Sequence, residues 1–453
     1  MSVATPGRVA YINARVLDPA TGRDGPGEVL TSGEEIVDVA RKLFDGHPPA
    51  DVEVVDCGGM CLAPGLVDTR VQLREPGEEH KESLKSAGEA AVAAGVTTMV
   101  CLPNTNPIMD DEPTLEFVAR RARLLALTKV YCYGAITKGL QGKELAEMGL
   151  LAEAGALAFT DATRAVADAQ VMRRALQYAA TFGLMIIQHP EEPTLATGVM
   201  NSGELATRMG LAGIPREAEI IMLERDIRLV AMTDGRYHAA HISTADSVEI
   251  IARAKADGLK VRCDTAPFYF ALNELAVTDY RTFAKLSPPL RAENDRRAIV
   301  EGLKSGVIDA IASDHAPQDS DSKRLPFPQA AFGGSGLETL LAVSLDLYHN
   351  GDMSLLEVLR RLTSAPADLL GLEAGRLAKG RKADLTIFDP DQGWKVIADK
   401  FKSKSKNSPF DGRPVQGRVL RTVVDGRVVF NAMPHAAKES TASPVNRTPA
   451  KAR

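Results

Sequence analysis

Residues 65–102 read GLVDTRVQLREPGEEHKESLKSAGEAAVAAGVTTMVCL, and this stretch decides the fold. Gly65 to Leu73 is a short apolar run, Lys81 to Ala94 carries Ala, Leu and Glu at helical spacing, and Thr97 to Leu102 is a second apolar run. An apolar run of strand length, an amphipathic helix and another apolar run describe a crossover unit whose two strands lie parallel. The unit repeats. Further runs at Val130 to Gly134, Ala156 to Thr160, Leu184 to Gln188, His238 to His241, Lys260 to Cys263 and Asp309 to Ala312 bring the strand candidates to eight. Helical patterns over Pro113 to Ala126, Ala165 to Phe182 and Ala245 to Asp257 lie between them. This alternation predicts an α/β fold built as a parallel (β/α)8 barrel.

Outward from the barrel the period changes. Arg8 to Ile12, Val29 to Leu30, Glu35 to Val39 and Val52 to Asp56 read as short strands broken by turns. Ala383 to Phe388, Val419 to Val424 and Arg427 to Phe430 repeat that pattern, with Asp425-Gly426 as a two-residue hairpin signal. The two ends are expected to build one small β-sandwich. The expected organisation is therefore a discontinuous β module over 1–62 and 372–431, a barrel over 63–371, and a disordered tail over 432–453. The tail is rich in Ser, Thr, Pro, Ala and Lys and has no apolar periodicity to offset the entropy of ordering.

The 453 residues are 45% hydrophobic and 25% charged, with a net charge of −5, an ordinary globular balance. Neither a nucleic-acid nor a membrane partner is expected. Met1 to Val9 lacks the basic and apolar regions of a secretory signal, and no apolar stretch reaches the roughly 18 residues of a membrane span, so a cytoplasmic protein is expected. Cys57, Cys61, Cys101, Cys132 and Cys263 show no CxxC spacing and read as buried thiols.

In a parallel barrel the chemistry gathers at the C-terminal ends of the strands. Asp161 follows Leu157 to Thr160, His189 follows Met185 to Gln188, His241 follows Tyr237 to Ala240, and Asp314 follows Ala310 to Ser313. Imidazoles and carboxylates converging on one rim are the donor set of a divalent metal such as zinc. Each also has a plain structural reading: a satisfied histidine at a strand end, or an Asp capping the next helix.

These residues sit among longer anchors: Pro64 to Asp68, Leu73 to Glu82, Pro103 to Pro107, Pro288 to Arg291, Ser313 to Pro317 and Phe332 to Thr339. In this order, from about Gly7 to Asn431, the chain resembles the bacterial dihydroorotases of the amidohydrolase superfamily. Arg74-Glu75-Pro76-Gly77 favours dihydroorotase over allantoinase or hydantoinase. The resemblance implies an amidohydrolase barrel holding one or two zinc ions and a reversible cyclic-amide hydrolysis in pyrimidine biosynthesis. By the same resemblance Arg74 and Asn104 match substrate-carboxylate contacts, Asp161, His189 and His241 match the second metal position, and Asp314 matches the catalytic Asp.

The departures are as informative. The family's His-x-His before Leu-Arg-Glu-Pro-Gly is here Arg70 and Gln72. A guanidinium has no lone pair to give, and an amide oxygen is a weak zinc ligand. Ser287, Gln318 and Pro267-Phe268-Tyr269-Phe270 also replace family site residues. The chain therefore resembles most the inactive dihydroorotase-like chains that associate with the aspartate transcarbamoylase catalytic chain, and a structural, non-catalytic role in that assembly is expected. The two-zinc site is not expected, and the cofactor is none or one residual zinc. An active dihydroorotase working with a single metal at Asp161, His189 and His241 is the alternative, and a carboxylate sensor using Arg74 and Asn104 is a third reading. Homo-oligomers are expected. Arg70 is expected to stand in for the missing cation between Asp161 and Asp314, because buried carboxylates facing each other repel. The order of the loop over 318–331 is left open by the sequence.

Overall fold

A computed structural model describes residues 7–46 and 48–433. The barrel strands are Leu66–Val71, Val96–Cys101, Lys129–Gly134, Ala156–Phe159, Met185–Gln188, Arg236–Ala239, Val261–Thr265 and Ala310–Ile311. They are hydrogen-bonded side by side in chain order, every pair parallel. The ring closes where Val71 bridges His315 and the Gln72 amide donates to the His315 carbonyl at 2.9 Å. The sixth strand stops at Ala239, short of the expected His241, because His241 takes a left-handed backbone with φ 40° and leaves the ladder.

Helices surround the ring, and their starts follow from short polar side chains. Ser83, Asp111, Asp168 and Thr244 each accept from backbone N–H groups at the first turn of Leu84–Ala93, Glu112–Leu125, Ala169–Thr181 and Ala245–Ala256. The next-helix cap after the fourth strand is thus Asp168, which frees Asp161 for other partners. Ala87, Ala91 and Leu176 on these helices pack with Leu66, Met99, Phe159 and Ile186 of the strands in one continuous core.

The two ends of the chain join in a single eight-stranded sheet. Its order runs Arg427–Asn431, Pro414–Val424, Leu385–Lys395, Cys61–Pro64, Arg8–Asp18, Arg23–Ser32 and Glu35–Ala40, with Val52–Asp56 also paired to Arg8–Asp18. Cys61–Pro64 is the bridge: it lies parallel to Arg8–Asp18 and antiparallel to Leu385–Lys395. Tyr11, Val16, Val29, Leu62, Leu385 and Ile387 close a core of their own beside the barrel. All five cysteines are buried free thiols. Among the described residues no helix is long and apolar enough to cross a membrane. From residue 434 onward, the expected tail lies outside the described residues.

Candidate functional site

The strand ends do converge. Arg70 lies within the first strand, and Asp161, His189, His241 and Asp314 follow the fourth, fifth, sixth and eighth. All five are buried. The backbone is strained on the same rim: Arg74, Ala162, His241 and Asp314 have φ of 60°, 60°, 40° and 47°. Non-glycine residues held in this region cost about 1–3 kcal/mol each and gather at functional sites.

Arg70 decides the electrostatics. Its side chain is 2% exposed, and its Nε donates to Asp314 Oδ1 at 3.0 Å while Nη2 donates to the Ala162 carbonyl at 3.2 Å. The guanidinium therefore points into the site and not into solvent. Asp314 Oδ2 lies 3.1 Å from His241 Nδ1. Burial alone would push Asp314 up, but the charges of His241 and Arg70 hold it below the usual carboxylate range. His241 in turn is pushed down by burial and by Arg70.

Asp161 is not part of that contact. Its Oδ1 accepts from the Ile136 and Thr137 amides at 3.0 and 2.9 Å, and its Oδ2 accepts from the Thr137 hydroxyl. Both oxygens are thus committed to the segment after the third strand, and the expectation that Arg70 would lie between two facing carboxylates holds for Asp314 and not for Asp161. Burial raises the Asp161 carboxyl to about 6, against the Thr137 and Ile136 hydrogen bonds.

The two histidines meet each other. His189 Nδ1 lies 2.7 Å from His241 Nε2, one ring donating and the other accepting. His189 Nε2 reaches Glu191 Oε2 at 3.2 Å, and Ser287 Oγ donates to the same oxygen at 3.1 Å. A polar chain thus runs from Glu191 through His189, His241 and Asp314 to Arg70. Glu191 was invisible to motif reading; its one signal is its place two residues beyond a strand-end histidine.

These residues do not fit the zinc that the sequence admits. Two nitrogens bound to one tetrahedral zinc at 2.0–2.1 Å stand about 3.3 Å apart, wider than the observed 2.7 Å. Both Asp161 oxygens already accept hydrogen bonds from the Ile136–Thr137 segment, and Asp314 is paired with a guanidinium. Among the described residues no three His, Cys, Asp or Glu side chains are grouped to hold a metal ion. The residual metal position expected from Asp161, His189 and His241 is accordingly not assembled in this arrangement: the first residue turns to backbone amides, and the other two turn to each other.

The expected carboxylate contacts are likewise engaged within the chain. Arg74 Nη1 pairs with Glu78 at 2.9 Å and its Nε donates to the Pro317 carbonyl at 3.2 Å. Asn104 Nδ2 donates to Gln72 Oε1 at 3.1 Å, so the side chain expected to meet a substrate carboxylate is engaged by the Gln72 amide. Phe268 and Tyr269, in the altered aromatic run, are buried. Phe268 stacks on Phe410, and Tyr269 meets the His241 ring edge-on while its hydroxyl donates to the Pro288 carbonyl at 3.1 Å.

The 318–331 loop is folded and tethered. Asp319 caps the short helix Ser320–Arg324, and Gln318 Nε2 donates to the Phe332 carbonyl at 2.8 Å. Lys323 Nζ donates to the Thr282 and Ala331 carbonyls at 3.0 and 2.7 Å, and Lys285 Nζ to those of Phe327 and Pro328, both at 2.9 Å. Burial lowers Lys323 to about 7, with Lys285 adding repulsion, and burial lowers Lys285 to about 8. Sequence pattern gave no sign of these two lysines, because their partners are carbonyls, which every residue carries.

Comparison with known proteins places this geometry. Residues 59–247 match the family model described as dihydro-orotase-like. A dihydroorotase of Anaplasma phagocytophilum is 48% identical over 428 residues, covering 94% of this chain and 95% of that protein. A dihydroorotase of the Wolbachia of Drosophila simulans is 46% identical over 426 residues, covering 94% and 96%. Among solved structures, the L-hydantoinase (dihydropyrimidinase) from Arthrobacter aurescens superposes with a TM-score of 0.84 at 25% identity, covering 94% of this chain and 96% of that one.

Proposed function

The chain belongs to the dihydroorotase family, and on that premise we propose that it is a non-catalytic dihydroorotase-like protein of pyrimidine biosynthesis that serves the assembly of aspartate transcarbamoylase. The observation that carries the reading is Arg70, buried and bonded to Asp314, the position that matches the family's catalytic carboxylate. Metal-assisted hydrolysis needs a polarised water and a carboxylate free to take its proton. Here that carboxylate is held ionised by a permanent cation that can neither polarise water as a metal does nor leave. The engagement of Arg74 by Glu78 and of Asn104 by Gln72 supports the same reading. The intact core and terminal sheet fit a fold retained for its outer surface.

The test is dihydroorotate ring opening by the full chain with added zinc, beside co-purification with the aspartate transcarbamoylase catalytic chain. No turnover, together with a stable mixed complex, is the expected result. Turnover by the unmodified chain would establish the single-metal dihydroorotase instead. A chain that stays apart from the transcarbamoylase would remove the assembly role.

A further inference from the structure

At the opposite end of the barrel from the histidines, where the strands begin, lies a cavity of about 570 Å3 that the reading above does not use. Five cationic side chains line it, Arg236, Lys260, Arg262, Arg360 and Arg361, against two carboxylates, Asp309 and Asp368. They come from separate parts of the chain. Arg236 opens the sixth strand, Lys260 and Arg262 flank the start of the seventh, and Arg360 and Arg361 end the helix Leu355–Leu362.

The charges do not cancel. Asp309 is already paired with Lys255 at 2.6 Å and stands 3.6 Å from Arg262. Asp368 is paired with Arg376, and Lys260 with Asp234 at 2.6 Å. Among the described residues, Arg236, Arg360 and Arg361 then have no carboxylate within salt-bridge distance. Arg236 donates to the Gly183 carbonyl at 2.8 Å. Arg361 is half-buried; its Nη2 donates to the Leu303 carbonyl at 3.1 Å, and its Nε is buried with no hydrogen-bond partner. A buried cationic N–H without an acceptor is costly, and an anion entering the cavity would supply one. Burial lowers the affinity of Arg361 for its own proton, which an anion in the cavity would offset.

Three uncompensated guanidiniums around a concavity attract a multiply charged anion more than a single carboxylate, because forked N–H groups match the oxygens of a phosphate. The volume is within the range of small-ligand sites. We propose that this floor cavity binds a pyrophosphate group, either free or carried by a nucleotide. The site is independent of whether the mouth of the barrel turns over a substrate.

The experiment is calorimetric titration of the full chain with inorganic pyrophosphate and, separately, with ATP. One saturable site per chain is expected. Binding should weaken about tenfold or more in an Arg236→Ser/Arg360→Ser variant, the effect of losing roughly 1.4 kcal/mol of contact. It should be unchanged in Lys400→Ser/Lys402→Ser, which removes two exposed lysines elsewhere. Both floor residues are exposed, so folding should survive; Arg360→Glu, a single surface reversal, gives the same reading if the double variant is unstable. Tighter binding of ATP than of pyrophosphate assigns the group to a nucleotide, and equal binding assigns it to pyrophosphate. Absence of saturable heat, or equal binding by the floor variants, overturns the site.

Discussion

Replacing Arg70 by Met tests the centre of the molecule. The substitution keeps an unbranched side chain of similar reach but removes the donors to Asp314 Oδ1 and the Ala162 carbonyl. It leaves a buried carboxylate whose remaining contact among these side chains is the His241 imidazole. Breaking a buried ion pair from one side costs about 3–5 kcal/mol. An unfolding entropy of about 2.1 cal/mol/K per residue, taken over 453 residues, makes 1 kcal/mol worth roughly 1 °C. A fall in Tm of roughly 3–5 °C is therefore expected by differential scanning calorimetry. Asp314→Asn is the matching partner change, because Asn tolerates the left-handed backbone at φ 47°. The double variant should fall by less than the sum of the singles, with a coupling of about 0.5–3 kcal/mol. A single variant within 1 °C of the parent, or singles that simply add, would refute the view that Arg70 neutralises Asp314.

Two further outcomes are expected. Lys323 has a folded value near 7 against an ordinary 10.5, so between these limits the unfolded chain holds a proton that the folded chain lacks. Its contribution should rise with pH above about 7 and be lost as pH falls through that value. Lys323→Met should flatten the pH dependence of unfolding across this window, and an unchanged slope would count against it. Gly336→Ala should destabilise by about 1–3 kcal/mol, because a Cβ there would stand 2.2 Å from the Ser313 carbonyl oxygen, next to Asp314. Gly393→Ala, with open space around it, is the control, and equal melting shifts for the two would refute the crowding argument.

What the sequence determined by itself was whatever local period and residue chemistry encode. The alternation of apolar runs and helical spacing carried the barrel, and polar residues closing those runs marked Asp161, His189, His241 and Asp314 as one rim. Arg70 and Gln72 stand where the family resemblance implies imidazoles, and neither a guanidinium nor a side-chain amide offers a metal the nitrogen lone pair of an imidazole. The tertiary structure decided which partners those side chains take. Arg70 meets an Asp314 that is 244 positions away, Asp161 turns to the Ile136 and Thr137 amides, and Gln72 captures Asn104. Glu191 joins the histidine pair, two lysines fasten the 318–331 loop to carbonyls, and Cys61–Pro64 fuses both ends of the chain into one sheet. The reason is physical: periodicity records which face of an element is buried, whereas the acceptor chosen by a buried donor depends on distant segments that become neighbours only when the barrel closes.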